Sequence, residues 1–196
     1  KEALKLYELE KPLDFIKNHV KITKSLNNLY YQTIGLNLKF NFNDFIIPEE
    51  LKEIISAINS NKTPIIIGRP GIGKTSWLIA FLKEIMNLNP LVINNKDSLR
   101  FFNQDNHNAI IFDDCSWPED INREELIKLI DSEQPTTHSI KHSSIMINRP
   151  TPRFVIVNTA EPWLINNNSI NNYQDKAVIR RIKPFFIKKD STLIKN

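Results

Sequence analysis

The chain reads Gly68-Arg69-Pro70-Gly71-Ile72-Gly73-Lys74-Thr75 over residues 68–75, a glycine-rich loop of the form G-x-x-x-x-G-K-[ST]. Glycines at these positions let the backbone bend so that successive N–H groups point at phosphate oxygens. Lys74 can reach the outer phosphates of a nucleoside triphosphate, and the Thr75 hydroxyl can ligate Mg²⁺. We therefore predict that the whole loop, together with the following Ser76, binds ATP with Mg²⁺.

The segments on either side of the loop have the patterns that such a loop requires. Residues 63–67 form a short apolar, β-branched run that is typical of a buried strand. Residues 76–86 are apolar at helical spacing, and the N-terminus of a helix there would add partial positive charge beside the phosphates. The order strand, loop, helix predicts a phosphate-binding loop rather than a chance turn.

The composition is that of a globular protein of ordinary size. The 196 residues can hold one α/β domain with a small appendage, and no apolar run approaches the roughly 20 residues needed to span a bilayer. The single cysteine, Cys115, excludes an internal disulfide and a cysteine-rich zinc cluster, which fits a reducing intracellular location. The four histidines have no metal-ligand spacing, and the net charge of +4 is too modest to identify a nucleic-acid partner.

The first 59 residues differ from the rest and are predicted to form a small helical segment. Residues 12–30 carry an apolar stripe that Gly35 terminates, and residues 36–42 then alternate as one short extended stretch. A further helix is expected to start at Pro48. The segment is either a helical pad that covers the core or a self-association segment, and periodicity alone cannot choose between them.

From residue 60 onward, strand and helix patterns alternate, which predicts an α/β fold with a mostly parallel central sheet flanked by helices. We assign this P-loop domain to residues 60–188 and expect a polar, frayed tail over residues 189–196. The predicted elements are strands 64–67, 91–94, 109–113, 153–157 and 184–188, helices 74–87, 97–103, 122–133 and near 174–181, and a hairpin over 136–148.

Three polar residues follow two of the predicted strands. Asp113 and Asp114 end the apolar run 109–112, and Asn158 ends the run 153–157. Ligand sites of open α/β sheets lie at the carboxyl ends of the strands. We expect Asp113 to hold Mg²⁺, Asp114 to orient the attacking water and Asn158 to contact the γ-phosphate or that water. An ordinary strand-end turn is the alternative, above all for Asn158.

Two basic features lie further along the chain. Arg180 and Arg181 come near the end of a predicted helix, where one could pair with an acid and the other could reach a neighbouring subunit's γ-phosphate as an arginine finger. Lys141 and His142 form the tip of the predicted hairpin, where they would contact nucleic-acid phosphates in the channel of a ring. A solvated surface hairpin is the simpler alternative.

Taken together, these motifs resemble the superfamily 3 helicase domain of replication initiator (Rep) proteins from circular single-stranded DNA viruses and related rolling-circle plasmids. The resemblance covers residues 60–188, most of the chain. It rests on the Walker A loop Gly68–Thr75 with Trp77 soon after, the Walker B segment Ile110–Asp114, the strand that ends in Asn158, a B′ loop around Lys141, and Arg180-Arg181-Ile182.

The resemblance implies an AAA+-like ATPase that forms a ring, usually hexameric, and moves 3′→5′ along single-stranded DNA. It assigns roles by position in the family motifs: Lys74, Asp113, Asp114 and Asn158 to catalysis, Lys141 with His142 to DNA binding, and Arg181, with Arg180 as the alternative, to the arginine finger.

The resemblance also implies parts of a protein that lie beyond this sequence. The HUH endonuclease domain that normally precedes the motor has no counterpart in residues 1–60, so residues 1–59 would be the oligomerisation collar. Because the first residue is Lys rather than Met, we expect the chain to be a segment of a longer protein. A viral protein of this kind would act in the host nucleus and a plasmid protein in the bacterial cytoplasm, without a membrane partner.

Two other functions are compatible with the motifs. An RNA-directed ATPase similar to the picornavirus-type superfamily 3 proteins would need no DNA-specific feature, although those proteins usually carry a cysteine-rich zinc site. A non-translocating P-loop switch would use ATP binding to assemble partners. A motor needs both a pore contact such as Lys141 and a trans-acting finger such as Arg181, whereas a switch needs neither.

Overall fold

The computed structural model describes residues 40–115, 121–160, 176–188 and 192–195. The strands are β1 (Thr63–Ile67), β2 (Pro90–Ile93), β3 (Ala109–Asp113), β4 (Thr136–Ile140), β5 (Ser143–Ile147), β6 (Arg153–Val157) and β7 (Ile182–Phe186). The α-helices are α1 (Ile54–Asn59), α2 (Lys74–Ala80), α3 (Arg123–Ile130) and α4 (Lys176–Ile179). A π-helical turn, Phe81–Ile85, extends α2, and 3-10 turns occupy Phe42–Asp44, Glu49–Leu51 and Lys96–Phe101.

Five strands form one parallel sheet in the order β2-β3-β6-β1-β7, which confirms the predicted α/β fold class. All five residues of β1 and of β6 are buried. Parallel strands covered on both faces read as continuous apolar runs rather than as alternating patterns, because helices pack on each face. This is why the unbroken isoleucine run 65–67 correctly predicted a buried strand.

The strand order brings the glycine-rich loop, the two acids and Asn158 to one edge of the sheet. Strand β6 lies between β1 and β3, with Ile67 beside Val157 and Asp113 beside Ile156. The glycine-rich loop follows β1, the two acids follow β3, and Asn158 follows β6. Because neighbouring parallel strands end on the same side, all three sets of residues meet at the carboxyl edge.

An aromatic cluster supports the helix that follows the loop. Trp77 is 1% exposed and stacks on Phe81, with ring centroids 5.2 Å apart and an interplanar angle of 6°. Phe42 packs against both rings, at 6.4 Å from Trp77 and 5.9 Å from Phe81. The tryptophan that the family resemblance singled out therefore packs in the interior, where it fixes the helix that presents Lys74 and Thr75.

Several stretches differ from the sequence-based predictions. The predicted helix 97–103 is a 3-10 turn over Lys96–Phe101, and the predicted helix 122–133 is shorter, Arg123–Ile130. Residues 42–44 form a 3-10 turn instead of continuing the extended stretch, because the Asp44 carboxylate accepts a hydrogen bond from the Asn41 N–H and closes the turn. The last strand begins at Ile182, two residues early, since an edge strand tolerates Pro184. Residues 192–195 of the tail are packed rather than frayed, and Leu193 is fully buried.

The remaining predictions for the N-terminal part lie largely outside the described residues. The helix over residues 12–30, and with it the pad or collar role of residues 1–59, stays a prediction. Within the described part, the helix expected after Pro48 is present as a 3-10 turn over Glu49–Leu51 and the helix Ile54–Asn59.

Candidate functional site

The loop between β1 and α2 has the geometry of a phosphate-binding loop. Gly71 and Gly73 have φ values of +79° and +93°, a left-handed backbone that L side chains rarely adopt, so glycine is required at both positions. Helix α2 begins directly afterwards at Lys74, which places its free N–H groups at the loop. The backbone therefore fits the sequence motif at Gly71, at Gly73 and at the start of the helix.

The side chain of Lys74 is held by hydrogen bonds to the start of this loop. Its Nζ atom donates to the carbonyl oxygens of Gly68 and Arg69, at 2.7 and 2.9 Å, and to Asn158 Oδ1 at 3.0 Å. Only 6% of the residue is exposed. Burial lowers the pKa of the ammonium group, while Asp113 and Asp114 act in the opposite direction. A cation fixed in this way can meet the β- and γ-phosphates of a nucleotide without first being ordered.

The two acids, Asp113 and Asp114, accept hydrogen bonds from two different residues. Asp113 Oδ1 accepts a hydrogen bond from Thr75 Oγ1 at 2.9 Å, and Asp114 Oδ1 accepts one from Asn158 Nδ2 at 2.8 Å. Burial raises the pKa of the Asp113 carboxyl, which the Thr75 hydrogen bond opposes. Asp114 has φ +53°, a left-handed backbone directly after β3, and its carboxylate has a different partner from that of Asp113. The pair can therefore serve two separate ligands.

Asn158 connects the two halves of the site. Its amide oxygen accepts from Lys74 and its amide nitrogen donates to Asp114. Lys74 and Thr75 at the start of α2 are thus hydrogen-bonded to the residues that end β6 and β3. These contacts join Lys74, Asp113, Asp114 and Asn158, the catalytic residues that the sequence predicted at this edge of the sheet. The catalytic roles of these residues stay predictions.

A cavity of about 410 Å³ opens between these groups. This volume is in the range of small-ligand sites. The residues that line it are Pro70, Gly71, Gly73, Lys74, Thr75, Ser76, Asp113, Asp114, Ile156, Asn158 and Ile194.

Three of the predicted nucleotide contacts shape the loop instead of lining the cavity. Gly68 and Arg69 present their carbonyl oxygens to Lys74. The side chain of Ile72 is buried, and its carbonyl oxygen accepts a hydrogen bond from the Leu193 N–H at 3.0 Å. The sequence motif marks all three positions but does not distinguish residues that face the ligand from residues that hold the loop.

Sequence reasoning missed Ile194. This residue lies in a stretch that reads as a polar tail, yet it lines the cavity and contacts the loop at Gly73. The one signal in the sequence was the apolar pair Leu193-Ile194 between polar neighbours.

The two candidate finger arginines lie at the opposite edge of the sheet from the loop. The Arg181 carbonyl oxygen accepts a hydrogen bond from the N–H of Thr63, the first residue of β1, whereas the loop follows the last residue. The Arg181 side chain is engaged within the chain, with Nε 2.9 Å from Asp131 Oδ2 and an N–H donated to the Ala177 carbonyl. Arg180 is exposed.

Asp131 is a specific partner for Arg181. Burial alone would raise the pKa of its carboxyl group, but hydrogen bonds from Arg181 and from the backbone N–H groups of Glu133 and Gln134 lower it overall. The carboxylate therefore stays charged and holds the guanidinium group.

The predicted hairpin is present as β4 and β5, joined by the two residues Lys141 and His142. His142, the second residue of this turn, has φ +67° and lies in the left-handed region. The backbone N–H of Lys141 donates to Asp97 Oδ1 at 2.8 Å, and both tip side chains are exposed. The structure thus fixes the backbone of the tip and leaves its lysine side chain in solvent.

A buried polar network ties this hairpin to the core. The His138 ring lies 2.8 Å from Thr136 Oγ1 and 3.3 Å from Glu125 Oε1, and Arg153 donates to the same threonine oxygen at 2.6 Å. Burial and the Arg153 charge lower the pKa of His138 to about 4, and burial lowers the pKa of Arg153 to about 10. The histidine therefore serves the packing of the hairpin as a neutral group.

Neither a metal cluster nor a membrane helix is found in the described ranges. Residues 40–115, 121–160, 176–188 and 192–195 contain no group of three or more His, Cys, Asp or Glu side chains that could hold a metal by themselves. Within the same ranges, no helix is long and apolar enough to cross a membrane.

The loop, the acid pair and Asn158 all lie inside the match to one family. A model of nSTAND3, described as Novel STAND NTPase 3, matches residues 45–161, more than half of the chain. The chain belongs to the nSTAND3 family. This nSTAND3 chain is thus a nucleotide-binding P-loop NTPase, as the loop predicted, whereas its assignment to the Rep helicases stays a prediction.

A relative with sequence similarity over nearly the whole chain is known from Euglena gracilis. It is described as an uncharacterized 33.1 kDa protein in the rbcL-atpE intergenic region and is 30% identical over 205 residues. The match covers 98% of this nSTAND3 chain and 71% of the relative.

Several solved structures are similar at low scores. A putative primosome component from Streptococcus pyogenes serotype M3 is 16% identical with a TM-score of 0.43, covering 76% of this chain and 86% of that one. NtrX from Brucella abortus in complex with ATP is 11% identical with a TM-score of 0.45, covering 91% and 43%. A JCV helicase is 18% identical with a TM-score of 0.35, covering 71% and 40%. Scores this low carry no argument about function.

Proposed function

We propose that this nSTAND3 chain hydrolyses ATP with Mg²⁺ between neighbouring copies in a ring, and that Asp114 orients the attacking water. The turnover would move single-stranded DNA, as in a rolling-circle initiator. The observation that carries the proposal is the hydrogen-bonded series Thr75–Asp113 and Lys74–Asn158–Asp114 around one cavity. The metal ion, the attacking water, the arginine of a neighbouring copy and the DNA contact each add one requirement to this ATPase site.

In this proposal, Thr75 and Asp113 would hold the Mg²⁺ ion. A hydroxyl and a carboxylate 2.9 Å apart are hard oxygen donors, and Mg²⁺ is usually held by one or two such protein groups together with phosphate oxygens and waters. A cluster of three protein ligands is therefore not needed. The ion would neutralise charge that develops on the β- and γ-phosphates.

The hydrolysis step is supported by the placement of Asp114 and Asn158. Both line the cavity, and their mutual hydrogen bond fixes the carboxylate. An attacking water held by Asp114 would add to the γ-phosphorus as the bond to the ADP oxygen breaks. Lys74, at 3.0 Å from Asn158, would stabilise the same phosphate.

The ring is supported by the position of the arginines. Arg180 and Arg181 lie beside the start of β1, about 13 Å of strand away from the loop that follows its end. An arginine there cannot serve its own nucleotide, so a finger would act on a neighbouring copy. The family resemblance favours Arg181 as the finger, but its side chain is paired with Asp131. We therefore assign the finger to the exposed Arg180.

The DNA contact is supported by the hairpin. Lys141 extends from a tip whose backbone is held by Asp97, so its ammonium group is free to meet a phosphate without loss of the tip's geometry. Proteins that track single strands use such basic contacts along the backbone.

The test begins with ATP. Lys74→Ala should abolish nucleotide binding, measured by calorimetry, and ATP hydrolysis, measured by phosphate release. Lys62 lies near the start of β1, and Lys62→Ala is the matched control. Light scattering with an ATP analogue and single-stranded DNA should then report a multiple of the chain mass. A monomer under all conditions would contradict the ring.

A second candidate is a non-translocating P-loop switch that assembles partners. The observation that favours it is the Arg181–Asp131 ion pair, because it engages one of the two candidate finger arginines within the chain. A switch would bind and hydrolyse ATP with no stimulation by DNA. Phosphate release measured with and without single-stranded DNA separates the two, since only a motor is accelerated by its track.

A further inference from the structure

The described residues near the C-terminus form a short strap over the nucleotide loop. We call residues 192–195 the C-terminal strap. Its backbone pairs with residues near the start of the described part: Ile46 N–H donates to the Leu193 oxygen at 2.7 Å, and Lys195 N–H donates to the Asp44 oxygen at 2.9 Å. Phe45 and Ile194 form an antiparallel bridge. The strap is thus a strand-like segment and not a loose end.

The strap is anchored on the loop itself. The Leu193 side chain is fully buried, and its N–H donates to the Ile72 oxygen at 3.0 Å. A Cβ atom built on Gly73 would lie 2.9 Å from Ile194 Cγ1, closer than real Cβ contacts allow. Ile194 therefore lies against the backbone of the loop at a glycine that its φ already requires.

Ile194 differs in chemistry from most of the cavity wall. Two of the lining residues have branched aliphatic side chains, Ile156 and Ile194. Ile156 pairs with Asp113 across β6 and β3, so it belongs to the acid side. Ile194 reaches the cavity from outside the sheet and contributes an apolar surface beside Gly73.

The two parts of a nucleotide need different surroundings. The triphosphate needs the loop amides, Lys74 and a cation, whereas the face of a base is apolar and is usually held against aliphatic or aromatic side chains. We infer that Ile194 forms a wall of the nucleobase subsite and that the C-terminal strap docks more firmly when a nucleoside triphosphate is bound. The inference rests on the proposed ATP binding.

Coupling between the strap and the nucleotide follows from thermodynamic linkage. If the base contacts Ile194 only while the strap is docked, then ATP stabilises the docked state, and the docked strap raises the affinity for ATP by the same factor. Inorganic tripolyphosphate has no base. It should bind the loop without this gain.

The experiment compares ATP with inorganic tripolyphosphate, both with Mg²⁺, by calorimetry on the full chain. Ile194→Ala should weaken ATP binding about tenfold, the scale of a lost apolar contact. The affinity for tripolyphosphate should change less than about twofold, since no base is involved. Ile55→Ala, an exposed isoleucine on α1, is the matched control and should alter neither affinity.

A second variant and a second readout keep the result independent of folding. Ile194→Val keeps a branched side chain against Gly73 and should retain ATP affinity. Hydrogen exchange at the amides of Ile46, Leu193 and Lys195 should slow with ATP and remain unchanged with tripolyphosphate.

Failure of the inference is distinct from failure of the proposed function. Equal weakening of both ligands by Ile194→Ala, no weakening of either, or equal protection of the strap by both would overturn the nucleobase wall while leaving the ATPase site intact. If the unaltered chain bound neither ligand, or if Lys74→Ala bound both normally, the proposed function would fall and the inference with it.

Discussion

The Nζ atom of Lys74 lies 3.0 Å from Oδ1 of Asn158, a residue 84 positions later in the chain. This contact joins the loop after β1 to the end of β6, and Asn158 passes the connection on to Asp114 at 2.8 Å. The three residues form one unit, in which an amide orients a cation on one side and an anion on the other. Loss of the amide should therefore affect turnover more than binding.

Asn158→Ala should lower ATP turnover by about 10²-fold, the typical cost of removing one group that stabilises a transition state. Binding of ATP should change little, because the loop and Lys74 remain. Steady-state phosphate release and calorimetry measure the two effects. Asn148→Ala, an exposed asparagine after β5, is the control. Equal turnover in the two variants would remove Asn158 from the reaction.

Asp114→Asn should leave ATP binding intact and reduce turnover by about 10²–10⁴-fold, as expected for loss of a positioned base. The replacement suits the backbone, because asparagine tolerates the left-handed conformation at φ +53°. Single-turnover hydrolysis is the decisive measurement, with Asp105→Asn, an exposed acid, as control. A variant that hydrolyses at the normal rate would show that the carboxylate does not act on the water.

Arg181 and Arg180 should respond differently to alanine. Arg181→Ala leaves Asp131 charged and largely buried, so it should lower the free energy of unfolding by about 3 kcal/mol. Arg180→Ala should leave stability unchanged and lower turnover by about 10³-fold or more if it is the finger. Urea unfolding and phosphate release measure the two quantities.

Mixing shows whether the finger acts between copies. An Arg180→Ala copy has an intact pocket and a Lys74→Ala copy has an intact finger, so a mixed ring should regain activity that neither variant has alone. Mixtures as inactive as the separate variants would argue for a finger within the chain or for none.

Lys141→Ala should weaken binding of single-stranded DNA and reduce the slope of log affinity against log salt by about 0.7, the value for one phosphate contact on a single strand. Stability should be retained, since the hairpin is held by its backbone bond to Asp97. Fluorescence anisotropy at several salt concentrations measures the slope, with the exposed Lys52→Ala as control. An unaltered slope would return the hairpin to the role of a solvated surface element.

Acid should destabilise the fold through His138. Burial and Arg153 depress its pKa in the folded chain to about 4, so the unfolded chain, with a pKa of about 6.5, binds the extra proton. The stabilising contribution is therefore complete above about pH 6.5 and is lost as the pH falls towards 4. His138→Gln should flatten the decline in unfolding free energy over this range, measured by urea denaturation. An identical decline in the variant would assign the acid sensitivity to other groups.

The central β-α elements could be read from the sequence because each has a local signature. The apolar run 65–67, the glycine loop and the apolar run before Asp113 all encode one strand or turn by themselves. The boundaries of β3 and β6 matched the prediction, whereas the final strand and the turn at residues 42–44 did not. The final strand depends on its edge position in the sheet. The turn depends on the short-range hydrogen bond between Asn41 and Asp44, which the alternating apolar pattern does not record.

The candidate site shows the same division. Residue types and spacing alone determined the loop, the acid pair and a polar strand end, since phosphate and metal chemistry demand those groups. Tertiary structure decided that Arg181 pairs with Asp131, that Asn158 bridges Lys74 and Asp114, and that Ile194 lines the cavity. The physical reason is that these contacts join residues far apart in sequence, so they exist only after the sheet has brought the strand ends and the C-terminal strap together.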